Sequence, residues 1–221
     1  MDGTLYDPRR VRRAIAARLA SLCMMHPRTG VETLRVIRAY RQAQEDLRGC
    51  TIQERSLAAA QLALAARKAN VNVGTAASIV NEWMFKKPLP FLARSIRPGL
   101  VQVLAKARLK GIKLGVLSDY PASEKLLAMN LAHFFDVIVT SGDEEVRALK
   151  PDPRGLDLAV RRLGIEKSAA LYIGDRIEID AEAAANAGIG CVILSESRPS
   201  RSGRYTCVCG FKQLESLVSG L

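Results

Sequence analysis

Four short stretches carry side chains that could handle a phosphate group: Asp2-Gly3-Thr4, Ser118-Asp119, Lys150-Pro151-Asp152-Pro153, and Gly174-Asp175 with Asp180 five residues on. Asp2, Asp175 and Asp180 supply oxygen ligands of the kind a hard divalent cation takes. The hydroxyls of Thr4 and Ser118 suit phosphate oxygens, and Lys150 supplies a compact positive charge. Chemistry built from these parts is phosphoryl transfer, in which the protein positions groups and neutralises charge more than it does covalent work. Taken singly, each stretch has an ordinary reading: Asp2-Gly3 as a turn, Ser118 as a helix cap, Lys150 as a solvated lysine, Asp175 and Asp180 as acids at a helix start.

What gathers these stretches is the order of the elements that carry them. From residue 98 onward, short apolar runs at 112–117, 135–140, 169–173, 191–194 and 205–209 alternate with helical patterns at 100–111, 121–131, 153–163, 180–187 and 211–218. Such alternation predicts an α/β fold with a mainly parallel sheet covered by helices on both faces. Ser118, Lys150 and Asp175 each follow a predicted strand, and ligands of parallel sheets collect beyond the carboxyl ends of the strands. Residues 9–87 read as helical throughout. Val11, Ile15, Leu19 and Leu22 form one apolar stripe, and Leu34, Ile37, Tyr40 and Leu47 a looser second. A third helix is predicted from Thr51, with Glu54 completing a capping box, to about Asn70, and a fourth over 75–85, ending before Pro88. This predicts a four-helix unit, residues 9–91, inserted near the start of an α/β domain formed by residues 1–8 and 92–221.

Composition excludes several functions. The chain has 221 residues and 48% hydrophobic content, enough for a sizeable core, and no apolar run of the roughly 18 residues needed to span a bilayer. The first 25 residues mix two aspartates with five arginines, unlike a secretory leader, so a soluble cytoplasmic protein is expected. Five cysteines lack the paired spacing of a zinc site, and Cys207 and Cys209 are expected to be packed thiols on one strand face. His26 and His133 are isolated and carry no expected role. A net charge of +11 draws anions, but aromatics are only 5% of the chain, too few for a base-stacking platform, so nucleic acid is not the expected partner. The segment 195–203 (SESRPSRSG) reads as a mobile loop.

Four motifs in order give a family resemblance over nearly the whole chain: DGTLYD at 2–7, VLSD at 116–119, LKPDP at 149–153, and IGDRIEID at 173–180 leading into AANAGI at 184–189. The sequence resembles the haloacid-dehalogenase-like hydrolases, in their branch of Mg²⁺-dependent phosphatases with a helical cap. The resemblance implies a Rossmann-like core with an inserted all-helical cap, and hydrolysis of a small phosphorylated metabolite. It assigns general acid/base catalysis to Asp2 and charge neutralisation to Lys150. Phosphate binding falls to Gly3, Thr4, Ser118, Asp119 and Lys150, and Mg²⁺ to Asp2, Asp175 and Asp180. Asp7, Arg176 and Glu178 are expected to be local loop residues.

The family's first motif opens with an acid two residues before the position of Asp2, and that acid is the nucleophile that becomes an aspartyl-phosphate. Met1 fills the residue between them, so the resemblance assigns no nucleophile here. It also places that acid at the end of a central strand of about five residues, between the predicted strands 112–117 and 169–173. The expectation is a chain truncated at its start, its parent beginning at least about six residues earlier, and inactive as it stands. The rival expectation is a natural short form, a binding or regulatory protein that keeps the phosphate pocket without turnover. Within the family, a halide leaves without a proton, whereas an alkoxide gains about 10²- to 10⁴-fold from a general acid. Asp2 and Asp175 therefore favour phosphate esters over halides.

Overall fold

The computed structural model describes residues 1–50, 56–195 and 203–219, with the side chains of 216–219 left aside. The opening residues form a turn in which the Met1 carbonyl accepts from the amides of Thr4 (3.2 Å) and Leu5 (2.9 Å). Tyr6 bridges to Ile96, Asp7 N–H donates to the Ser95 carbonyl, and Arg97 N–H to the Leu5 carbonyl. These bonds clasp the two ends of the helical segment between them.

Helix α1 (Pro8–Met25) starts at Asp7, whose carboxylate accepts from Arg9 N–H at 2.9 Å, with Pro8 in the first turn where a missing N–H costs nothing. It buries Val11 and Leu19 of the expected stripe and packs on α2 (Pro27–Asp46), which buries Ile37 and Tyr40. Helix α3 (Leu57–Ala69) begins later than expected. Ser56 caps it, with Oγ accepting from Ala59 N–H, and the anticipated capping box at Thr51 and Glu54 lies outside the described residues. Its small residues Ala65, Ala66 and Ala69 are fully buried with Val36, Ala43 and Ala76, so α2 and α3 approach closely. Helix α4 (Val73–Val80), capped by Asn72, runs into a π-helical turn over Asn81–Lys86. The helical run ends at Lys86, before Pro88 as expected, and after a two-residue turn a short α5 (Leu89–Leu92) follows, with Pro90 in its first turn where a missing N–H is tolerated.

The remaining chain alternates as anticipated: α6 (Leu100–Leu109), β1 (Gly115–Ser118), α7 (Ser123–Ala128), β2 (Val137–Thr140), α8 (Arg154–Leu163), β3 (Leu171–Gly174), α9 (Glu182–Ala187), β4 (Gly190–Leu194), β5 (Thr206–Val208) and α10 (Phe211–Ser219). Among the described residues the pairings of β1 to β5 are parallel, with Leu117 opposite Val139, Ile173 opposite Val192 and Ile193 opposite Cys207. Successive strand residues enter different cores. Val116, Val192, Leu194 and Val208 pack with α6, α7 and α10, whereas Leu117, Cys191, Ile193 and Cys207 pack with α8 and α9. That alternation is the signature of a sheet buried on both faces. Cys209 falls outside β5 and is exposed, so of these two only Cys207 is a packed thiol.

The strands form two separate ladders, β1–β2 and β3–β4–β5. Between β1 and β3 lies a cavity of about 260 Å³.

Candidate active site

Beyond the carboxyl ends of β1 and β3, the loops meet the opening turn. Gly3, with φ +87°, lies under Asp175 so closely that a Cβ there would be 2.0 Å from Asp175 Oδ2. Glycine is needed at this point for both its backbone conformation and its missing side chain. Thr4 Oγ1 donates to Asp175 Oδ1 at 3.0 Å, and Arg97 Nε donates to the Gly3 carbonyl at 2.6 Å. The opening turn is thereby fixed against the loop after β3.

Deeper in, Lys150 is 8% and Asp180 3% exposed, and they pair at 2.6 Å. Lys150 is thus a buried ion-pair partner, not the solvated lysine its position before a proline also allowed. Tyr172 hydroxyl accepts from Lys150 at 3.2 Å and donates to Asp180 at 3.1 Å, while Asp180 Oδ2 accepts the amides of Asp175 and Arg176, each at 3.0 Å. Burial alone would raise the Asp180 pKa, but Lys150 overrides it and holds the carboxylate at about 2. Burial likewise opposes the charge on Lys150, and Tyr172 and Asp180 outweigh it, so the lysine stays protonated. Gly174 has the same tight fit as Gly3: a Cβ would meet Asp180 at 2.3 Å.

Asp175 is in the opposite condition. Among the described residues it makes no salt bridge, and burial followed by the nearby negative charge of Asp180 pushes its pKa up. A divalent cation would relieve both. Among the described residues no group of three or more His, Cys, Asp or Glu is gathered to hold a metal. Mg²⁺ does not require one, since it keeps several waters and is held through one or two carboxylates plus substrate phosphate. The donor set around Asp175 fits such an ion.

Asp2 turns elsewhere. Both of its oxygens accept from Lys125 Nζ, at 2.9 and 2.8 Å. Burial works against its charge, but Lys125 and the Met1 amino group prevail and lower its pKa, keeping it ionised. The Met1 amino group is itself buried, which together with Lys150 lowers its pKa. Ser118 is buried at the tip of β1 with Oγ accepting from Tyr120 N–H at 3.2 Å. Asp119 accepts from Ser141 Oγ at 3.0 Å, from the Lys150 amide at 3.4 Å and from Arg48 at 3.2 Å. Gly3, Thr4, Asp175, Asp180 and Lys150 therefore form one bonded network, with Asp119 joined to it through the Lys150 amide. Asp2 and Ser118 lie at its margin on other partners.

Several residues here escaped the sequence reading. Lys125 lies in a helical turn with no motif around it. Tyr172 belongs to a strand that reads only as apolar. Arg48, at the end of the second helix, donates to the Lys150 carbonyl and pairs with Asp119 and Glu45, carrying the helical segment onto the loops. Tyr120 adds to that contact, stacking on Tyr40 with ring centroids 6.2 Å apart and donating to Gln44. A buried glutamine within an otherwise apolar helix stripe was the one available signal.

The profile of haloacid dehalogenase-like hydrolases matches residues 1–188. Among curated proteins, the chain is 35% identical over 111 residues to a glyceraldehyde 3-phosphate phosphatase of Methanopyrus kandleri, covering 49% of this chain and 44% of that one. It is 33% identical over 112 residues to a phosphoglycolate phosphatase of Rhodospirillum rubrum, covering 49% and 45%. The chain thus spans less than half the length of these relatives. A solved 2-haloacid dehalogenase from Pseudomonas syringae superposes with a TM-score of 0.68 at 19% identity, covering 100% of this chain and 96% of that one, which shows a shared fold. Among the described residues no helix is long and apolar enough to cross a membrane. With a parallel sheet covered on both faces, loops gathered at its carboxyl end and a profile match over most of its length, this chain belongs to the haloacid dehalogenase-like hydrolase family.

Proposed function

We propose that the network at the sheet's carboxyl end serves a Mg²⁺-dependent phosphatase acting on a small phosphate monoester. The observation that carries this reading is Asp175, a part-buried carboxylate without a salt bridge among the described residues, beside a buried Lys150–Asp180 pair. The relatives named as phosphatases of small phosphorylated acids and aldehydes support the same class. Mg²⁺, when bound, neutralises charge on the phosphoryl group. Asp175 would hold it, and Asp180, its oxygens already taken by Lys150, Tyr172 and two amides, keeps the loop in place. Thr4 orients Asp175, and Ser118 and the backbone at Gly3 offer phosphate contacts. Asp2, kept ionised by Lys125, is suited to take a proton from water, and the proton so gained is the one it would give to a leaving oxygen in the next cycle. No residue of this chain is assigned as the nucleophile.

The test is calorimetric binding of orthophosphate with and without Mg²⁺. Binding that requires Mg²⁺ and disappears in Asp175→Asn is expected; phosphate binding indifferent to both would overturn the reading. A panel of phosphate esters with Mg²⁺ then identifies the substrate. One feature favours the second reading, a phosphate-binding module without turnover: Lys125 engages both oxygens of Asp2. Mg²⁺-dependent phosphate binding with no ester hydrolysed, in the protein and in Lys125→Met alike, would select it.

A further inference from the structure

We infer that the hairpin of α1 and α2 docks by its tip onto an anionic lipid surface, as a peripheral contact that lies on the membrane and does not span it. This inference rests on the helical segment alone and is independent of the catalytic reading.

Three observations carry it. First, the tip is apolar and stands clear of the molecule. Residues 24–29 are all exposed, and the large apolar side chains at the turn are Met24, 84% exposed, Met25, 66%, and Val31, 60%. The tip is also held rigidly. A Cβ on Gly30 would lie 2.5 Å from Cys23 Sγ and 2.6 Å from Cys23 Cα, so the two helices meet backbone to backbone just behind the tip. Gly30 N–H closes the turn by donating to the His26 carbonyl at 2.9 Å. Methionines fixed on such a protrusion are presented outward, and a convex apolar tip suits a deformable layer.

Second, the helices behind the tip are basic with little counter-charge. Residues 8–46 hold nine arginines, no lysine and three acids, Glu32, Glu45 and Asp46. Glu45 is paired with Arg48, and Asp46 with Lys68. Among the described residues Arg13, Arg28, Arg35 and Arg38 pair with no carboxylate. Third, the two features lie along one stripe of each helix. On α1 the outward residues at helical spacing are Arg10, Arg13, Ala17 and Met24, and on α2 they are Val31, Arg35 and Arg38, every one exposed. Each helix thus shows a face that is apolar at the tip and basic behind it, opposite the face it buries.

The occupant follows from the combination. An anionic membrane offers hydrocarbon to Met24, Met25 and Val31, and directly above it the oxyanions that guanidinium groups bind bidentately. A nucleic acid answers the charge but gives exposed apolar side chains no partner. A second copy of the chain, meeting this face across a twofold axis, would set arginine against arginine.

The test is co-sedimentation of the full chain with vesicles. Phosphatidylcholine vesicles carrying about 30% phosphatidylserine should bind about tenfold more tightly than phosphatidylcholine alone, and about 0.5 M salt should remove the difference. Two double variants at exposed positions, each checked for an unchanged melting temperature, separate the two contributions. Met24→Gln with Met25→Gln should weaken binding about tenfold at an unchanged salt dependence. Arg28→Glu with Arg35→Glu should abolish the preference for phosphatidylserine. Equal binding to the two kinds of vesicle would overturn the inference. So would a methionine variant that binds vesicles as the parent does, and single-stranded RNA bound equally by both would then assign the face to a polyanion instead.

Discussion

Two acidic residues five positions apart, on the same loop, live under opposite electrostatics. Asp180 is buried, paired with Lys150 and saturated by Tyr172 and two backbone amides. Asp175 is part-buried, bonded to one hydroxyl, and has Asp180's negative charge nearby. The first is a completed structural anchor; the second stores unfavourable charge that a cation would discharge. A fold can hold an uncompensated carboxylate in place only if something adjacent is fully compensated, and here the anchor directly positions the amide of Asp175.

Removing the anchor should have the largest effect. Asp180→Ala leaves the buried Lys150 without a counter-charge and orphans two amides, and a loss of about 3–5 kcal/mol in urea unfolding is expected. Acid should break the same pair without mutation. The Asp180 pKa is depressed in the folded state, so its stabilisation is complete above the unfolded value of about 3.9 and disappears as pH falls through the folded value of about 2. Chemical denaturation across that window should show a loss of about 2 kcal/mol, absent in Asp180→Ala. Gly3→Ala attacks the other side of the comparison. Its methyl would occupy the place of Asp175 Oδ2 and its backbone is left-handed, so a cost of about 1–2 kcal/mol and a weakened thermal response to Mg²⁺ are expected. The smallest change has the opposite sign. Asp175→Asn removes the uncompensated charge and should raise Tm by about 2–4 °C, corresponding to about 1 kcal/mol, while abolishing stabilisation by Mg²⁺. If Asp175→Asn destabilises instead, the two aspartates do not differ in the way described.

Much of the fold was legible because its signals are local. The apolar runs that became β1 to β5 sit between helices with readable stripes, and the alternation required a covered parallel sheet. The ends of elements were less legible. The expected helix over 121–131 contracts to Ser123–Ala128, and the chain enters α9 through a π-helical turn that begins at Ile177, because tertiary contacts and not propensity set those ends. At the site, the residue types of Asp2, Thr4, Lys150, Asp175 and Asp180 suggested their chemistry, but their partners did not follow from spacing. Lys125 lies 123 residues from Asp2 and Arg48 lies 71 from Asp119.

The sequence by itself determined the order of strands and helices and the gathering of the chemical residues at strand ends. Those depend on backbone conformation and on period, which neighbours along the chain can enforce. Only the tertiary structure decided which carboxylate is neutralised and which is left charged, and that Gly3 must lack a side chain under Asp175. Charge compensation and burial depend on groups brought together from distant parts of the chain, and no local pattern records that distance.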